Sequence, residues 1–173
     1  SSSTQFVVGA AGESDHDLLG MAQRLRREAG LARVHYSTFD PAEGTPLQEA
    51  PPENPLRSFR LYQADFLIRD YGFGAEELLQ GRERLPLTID PKLSYARIFL
   101  LEEPVEVNRA DRRDLLRIPG IGPRTVGRIL DARRGGNRIR SVEDLKRLGV
   151  NTKRASDFML VDGRKISAQM RLF

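Results

Sequence analysis

A chain of 173 residues has room for one ordinary domain or two small ones, and 39% hydrophobic with 30% charged residues is the balance of a water-soluble fold. No apolar run approaches the roughly 20 residues of a membrane helix, and with no cysteine the sequence excludes disulfides, a thiolate zinc site and a cysteine-held iron–sulfur cluster of its own. The net charge of +4 conceals a division: residues 1–107 hold 11 Lys and Arg against 17 Asp and Glu, a net of −6, whereas residues 108–173 hold 17 against 7, a net of +10. Ion pairing within the basic part cannot neutralise such an excess, which points to a polyanion partner. Ser1 to Gln5 carry no basic residue ahead of the short apolar run Phe6-Val7-Val8, so the start does not read as a secretory signal and a cytoplasmic location is expected.

In chain order, Thr4–Ala10 reads as a short buried strand ending in small residues. Ser14 or Asp15 can cap a helix whose Leu18, Met21, Ala22 and Leu25 share one face until Gly30 stops it. Arg33–Phe39, rich in β-branched and aromatic residues, is a second strand, and the succession predicts a βαβ crossover with parallel strands over residues 1–40. Residues 41–104 are expected to form a surface loop and linking helices. Asn54 and Pro55 open a helix to Tyr71, with Leu61, Ala64, Ile68 and Tyr71 on one face and Phe59, Tyr62 and Phe66 beside them, all expected in the core. Ala75–Leu79 gives another turn, and Asp90-Pro91 opens a helix to about Leu100.

Residues 105–173 read as four short helices in two hairpins: Asp111–Ile118, the turn Pro119-Gly120-Ile121-Gly122, Pro123–Arg133, then a capped start at Ser141 with Asp144 three positions on, a stop at Gly149 and a last helix from Thr152. Asp162-Gly163 marks a hairpin turn near the end. The predicted class is α+β, with a mainly helical basic region.

Pro119-Gly120-Ile121-Gly122-Pro123, between a leucine-bearing and an arginine-bearing helix, resembles the helix-hairpin-helix motif, and Val107 through Gly149 resembles the double helix-hairpin-helix of bacterial DNA-uptake and repair proteins. The resemblance implies that Gly120 and Gly122 bring main-chain N–H groups to a DNA phosphate, with Ile121 locking the helices and Arg124, Thr125 and Arg128 reinforcing the contact. Gly149, Asn151, Lys153 and Arg154 would do the same in the second hairpin, where Asn151 stands in place of a glycine and is less tolerant of left-handed angles. Backbone contact implies little sequence preference. On the sequence alone, Gly120→Val should remove DNA binding and leave the fold largely intact. The same hairpins could instead serve protein–protein contacts, and the two readings stay open.

Phe6-Val7-Val8-Gly9-Ala10-Ala11-Gly12-Glu13, with Val34-His35-Tyr36-Ser37 and Arg60–Leu67, resembles the closing part of radical S-adenosylmethionine proteins assigned to DNA modification or repair, which also end in a helix-hairpin-helix. That resemblance implies a βαβ remnant of a barrel whose earlier part, absent here, carries a three-cysteine motif. It implies S-adenosylmethionine and a 4Fe–4S cluster for the complete protein, none for this chain by itself, and the missing barrel as a partner. Val8 and Gly9 would line part of the cofactor site only in a complete barrel; otherwise they pack a βα turn. His16 and His35 are far apart in sequence and lack cysteine partners, so no metal is expected. Glu13 with Asp15 and Glu76 with Glu77 read as a helix start and a solvated face, and no catalytic constellation stands out.

Overall fold

The computed structural model describes residues 2–166, which form an α+β fold divided into two compact units. Among these residues, one unit comprises 2–69 and 73–91, the other 70–72 and 92–166.

In the first unit, β1 (Ser3–Val8) and β2 (Arg33–Thr38) pair in parallel with Ser3 opposite Arg33 and Val8 opposite Thr38. The connecting helix α1 (Asp15–Ala29) begins with a capping box, Ser14 and Asp17 each bonding the other's backbone, and ends on Gly30 at φ 61°. Both ends satisfy backbone groups that a helix leaves unpaired. Two further helices follow, α2 (Pro55–Tyr71) and α3 (Ala75–Leu79). The helix α2 corrects one expectation. Leu61 and Ala64 are buried, but Phe59, Tyr62 and Phe66 are 53%, 42% and 45% exposed, while Arg57 and Asp65 occupy the interior instead.

Those buried charges survive because each is paired. Arg57 donates from Nε to Asp15 at 2.8 Å, from Nη1 to Glu53 at 2.7 Å and from Nη2 to the Glu13 carbonyl at 2.6 Å. Asp15 also accepts the Leu85 N–H at 2.8 Å. Asp65 takes a bidentate pair from Arg26, both bonds 2.6 Å, and the Tyr36 hydroxyl at 3.3 Å. Burial, with Asp65 beside it, pushes the Tyr36 phenol up. The sequence reading of Asp15 as a mere helix start therefore omits its main interaction.

Burial raises the Glu13 and Glu53 carboxyls, but the Gly9 and Ala11 N–H groups at Glu13, the Arg57 bond at Glu53 and the guanidinium charge outweigh it, leaving both below the ordinary value of 4.5. Carboxyls depressed in the folded state stabilise it above their unfolded pKa, and that contribution disappears as pH falls through the folded values. The melting temperature of the first unit should thus be level down to about pH 5 and decline below about pH 4.5. An unchanged melting temperature at about pH 3.5 would contradict this coupling.

The second unit holds α4 (Pro91–Phe99, from Lys92 onward), β3 (Val105–Glu106), α5 (Arg112–Arg117), α6 (Pro123–Arg134), α7 (Val142–Arg147), α8 (Thr152–Ala155), a 3-10 turn at Ser156–Phe158, then β4 (Met159–Val161) and β5 (Arg164–Lys165). The strands form a small sheet in the order β3-β4-β5, with β3 parallel and β5 antiparallel to β4. Asp162 and Gly163, at φ 53° and 75°, make the tight turn expected between β4 and β5. The core gathers Leu115, Ile118, Ile121, Val126, Ile129, Leu145, Val150 and Met159. Glu106 fastens the sheet to the turn by accepting the N–H groups of Asn108, Asp162 and Gly163.

Candidate nucleic-acid interface

The first hairpin is set by apolar locking and one left-handed residue. Helix α5 starts on Asp111, whose carboxylate caps the Asp114 N–H at 2.8 Å, and runs through fully buried Leu115. Ile118 and Ile121 are buried on either side of the turn, and the Ile121 N–H returns to the Ile118 carbonyl at 3.2 Å. Gly120 turns the chain at φ +83°, an angle that a side chain disfavours. Gly122 sits at φ −116° as the N-cap of α6, with Pro123 first in the helix where its missing N–H costs nothing.

The N–H groups of Gly120 and Gly122 have no partner among the described residues. They lie at the start of a twelve-residue helix, where the helix dipole is positive and the first-turn N–H groups are free of intrahelical bonds. Arg124 and Arg128 are exposed one turn apart on that helix. Thr125, by contrast, is 8% exposed and donates its hydroxyl to the Gly149 carbonyl at 3.2 Å, so it serves packing between the hairpins.

The second hairpin repeats the first position by position. Gly149 corresponds to Gly120 with φ +90°, buried Val150 to Ile121, and Asn151 to Gly122. Asn151 adopts φ −77°, so the replacement of glycine by asparagine falls where no left-handed angle is required. Its donors are nevertheless spent: the Gly149 N–H bonds the Lys146 carbonyl at 2.9 Å, and the Asn151 N–H bonds the Gly120 carbonyl at 3.0 Å. The Gly149 carbonyl and the Asn151 N–H therefore hold the hairpins together, and Lys153 and Arg154 are the exposed charges that follow the second turn.

Gly120 and Gly149 each sit against the opposite hairpin. A Cβ at Gly120 would lie 2.6 Å from the Asn151 carbonyl oxygen and 3.2 Å from the Arg154 Cβ, whereas one at Gly149 would meet Arg128 Nη1 at 2.9 Å and Thr125 Oγ1 at 3.5 Å. Thr125 and Arg154 are both third residues of the helices that follow the two turns.

Two supports of the first turn have no signal in the sequence. Lys92, 8% exposed, donates from Nζ to the Ile121 carbonyl at 2.6 Å and lies 4.6 Å over the Tyr71 ring. The Tyr71 hydroxyl stands 3.2 Å from where a Gly122 Cβ would be, a tight contact at a position of ordinary φ. Arg117, 3% exposed, donates to the Tyr71 and Gly72 carbonyls of the same unit at 3.2 and 3.0 Å.

Elsewhere, Val8 is fully buried and Gly9, at φ +93°, is half-buried beside Glu53. His16 bonds Glu76 at 2.6 Å on the surface, and His35 is exposed. Among the described residues no three His, Asp or Glu gather in a metal-binding arrangement, and no helix is long and apolar enough to cross a membrane.

Residues 102–155, from the approach to β3 to the end of α8, match the family of the helix-hairpin-helix motif, a motif that as a class binds DNA without sequence preference. No curated protein and no solved structure matches the chain.

Proposed function

We propose that the second unit binds duplex DNA through its phosphate backbone without reading base sequence. The observation that carries this reading is the pair of unpartnered N–H groups at Gly120 and Gly122, presented at the positive end of α6 beside exposed Arg124 and Arg128. Two N–H donors and a helix dipole suit a phosphate oxygen, and the surplus of ten positive charges over residues 108–173 suits a polyanion. In this reading the two hairpins divide the work. The first contributes main-chain donors, and the second contributes the Lys153 and Arg154 charges while bracing the first.

The test is fluorescence anisotropy of a labelled duplex at several salt concentrations. The parent's log affinity should fall linearly with log salt, and Arg124→Gln and Lys153→Gln should each reduce that slope by about one, uniformly across sequences. Binding indifferent to salt would favour the protein–protein reading of the same hairpins.

We infer further that the first unit belongs to a larger barrel in a cytoplasmic radical S-adenosylmethionine protein of DNA modification or repair. The support is the resemblance over residues 6–13, 34–37 and 60–67 and the parallel βαβ arrangement. This sequence has no cysteine for a cluster, so the cluster would rest on the part of the barrel that carries the cysteines. A reading frame upstream or in an adjacent gene with three closely spaced cysteines is expected; a natural start codon here with no such neighbour would end this reading.

A further inference from the structure

At the end of α6 away from the first turn, the second unit opens into a cleft of about 740 Å³ whose lining includes Arg109, Arg133, Arg134, Asn137 and Arg138 around partly buried Leu130 and, among the described residues, no acidic residue. Helix termini attract cations at the C-terminal end, and part of this cluster has that explanation. Arg133 is spent on structure, donating to the carbonyls of Val107, Arg109 and Ala110 in the segment between β3 and α5. Arg109 precedes α5 and Arg138 lies four residues beyond α6, so neither has a helix end to neutralise. Arg134 pairs with Asp131 and Arg138 with Asp162, but both arginines are more than half exposed, and ion pairs in that setting hold weakly enough to exchange for a phosphate. Gly136, at φ +78°, has open space where a side chain would stand, keeping the rim low.

Twelve residues of α-helix separate the cleft from the first turn by about 16 Å. That exceeds the screening length of about 10 Å at 0.1 M salt, so the main-chain donors of the turn and the cleft are screened from one another. A helix that points its N-terminus at one phosphate points its C-terminus away from it. We infer that the arginine cleft takes the phosphate backbone of a second nucleic-acid segment, so that one chain bridges two duplexes. This rests on the reading of the first hairpin as the site for the first duplex.

The experiment tethers one duplex to beads, adds the protein, and measures capture of a fluorescent second duplex. The double variant Arg109→Gln/Arg134→Gln alters two exposed side chains away from both hairpin turns. The parent should capture the second duplex, and the variant should lose about five-fold or more of that capture while its affinity for a single duplex stays within about two-fold. Equal capture by parent and variant would show that the cleft holds no second segment. A parent that binds one duplex and captures no other would overturn the bridging inference and leave the hairpin reading standing; a parent that binds no duplex would overturn both.

Discussion

Gly120→Val is expected to destabilise the second unit by about 3 kcal/mol or more, through strain at a positive φ and overpacking in contact with backbone. The expectation from sequence was a folded variant with an obstructed phosphate site. The geometry requires a different outcome, because the added Cβ meets the Asn151 carbonyl oxygen at 2.6 Å before it meets any ligand. That carbonyl belongs to the residue whose N–H bonds Gly120, and its oxygen also accepts the N–H groups of Arg154 and Ala155, so displacing it loosens the start of α8. Gly122→Ala is the contrast. Its φ is ordinary and its nearest obstacle is the movable Tyr71 hydroxyl at 3.2 Å, so the cost should be about 1 kcal/mol or less. Urea unfolding followed by circular dichroism separates the two variants, and a Gly120→Val midpoint equal to the parent's would refute the interlocked packing.

Arg57→Met should cost the first unit about 3–5 kcal/mol, the penalty for stranding buried carboxylates by removing their cation. Arg57 is 2% exposed and Asp15 is fully buried, so water cannot replace the lost partner at Asp15 without opening the unit. The partners act as a set, so the double variant Arg57→Met/Asp15→Leu should be less destabilised than the sum of its single changes. Thermal melts of the four proteins form the cycle. Strict additivity, or a single-variant loss under about 1 kcal/mol, would mean that the network contributes little.

The elements that sequence foretold are those whose signals are local. Ser14, Asp111 and Ser141 cap helices within three residues of themselves, and the Asp162-Gly163 turn needs only its own two positive φ angles. The buried face of α2 was not legible because apolar residues surround much of that helix, and what chooses the face is the partner of Arg57 42 residues away and that of Asp65 39 residues away. Strand β3 is two residues long, too short for any alternation to show, and exists through its pairing with Met159 and Leu160. At the candidate site, the glycine spacing disclosed the first turn and its buried Ile121. It did not disclose Lys92 and Tyr71, which reach the turn through tertiary packing, nor that the N–H groups of Gly149 and Asn151 are already engaged. The left-handed angle of the second turn falls on Gly149 and not on Asn151.

The reciprocal seating of Gly120 against α8 and Gly149 against α6 also limits how this surface can be altered. A side chain introduced at Gly120 intrudes on Asn151 and Arg154, and one at Gly149 on Arg128, so the first contact cannot be tuned while the second stays as it was. Variation here is confined to the outward positions, Arg124, Arg128 and Lys153, where charge can be traded one residue at a time. The turns themselves behave as a single inherited part, to be kept whole or replaced whole.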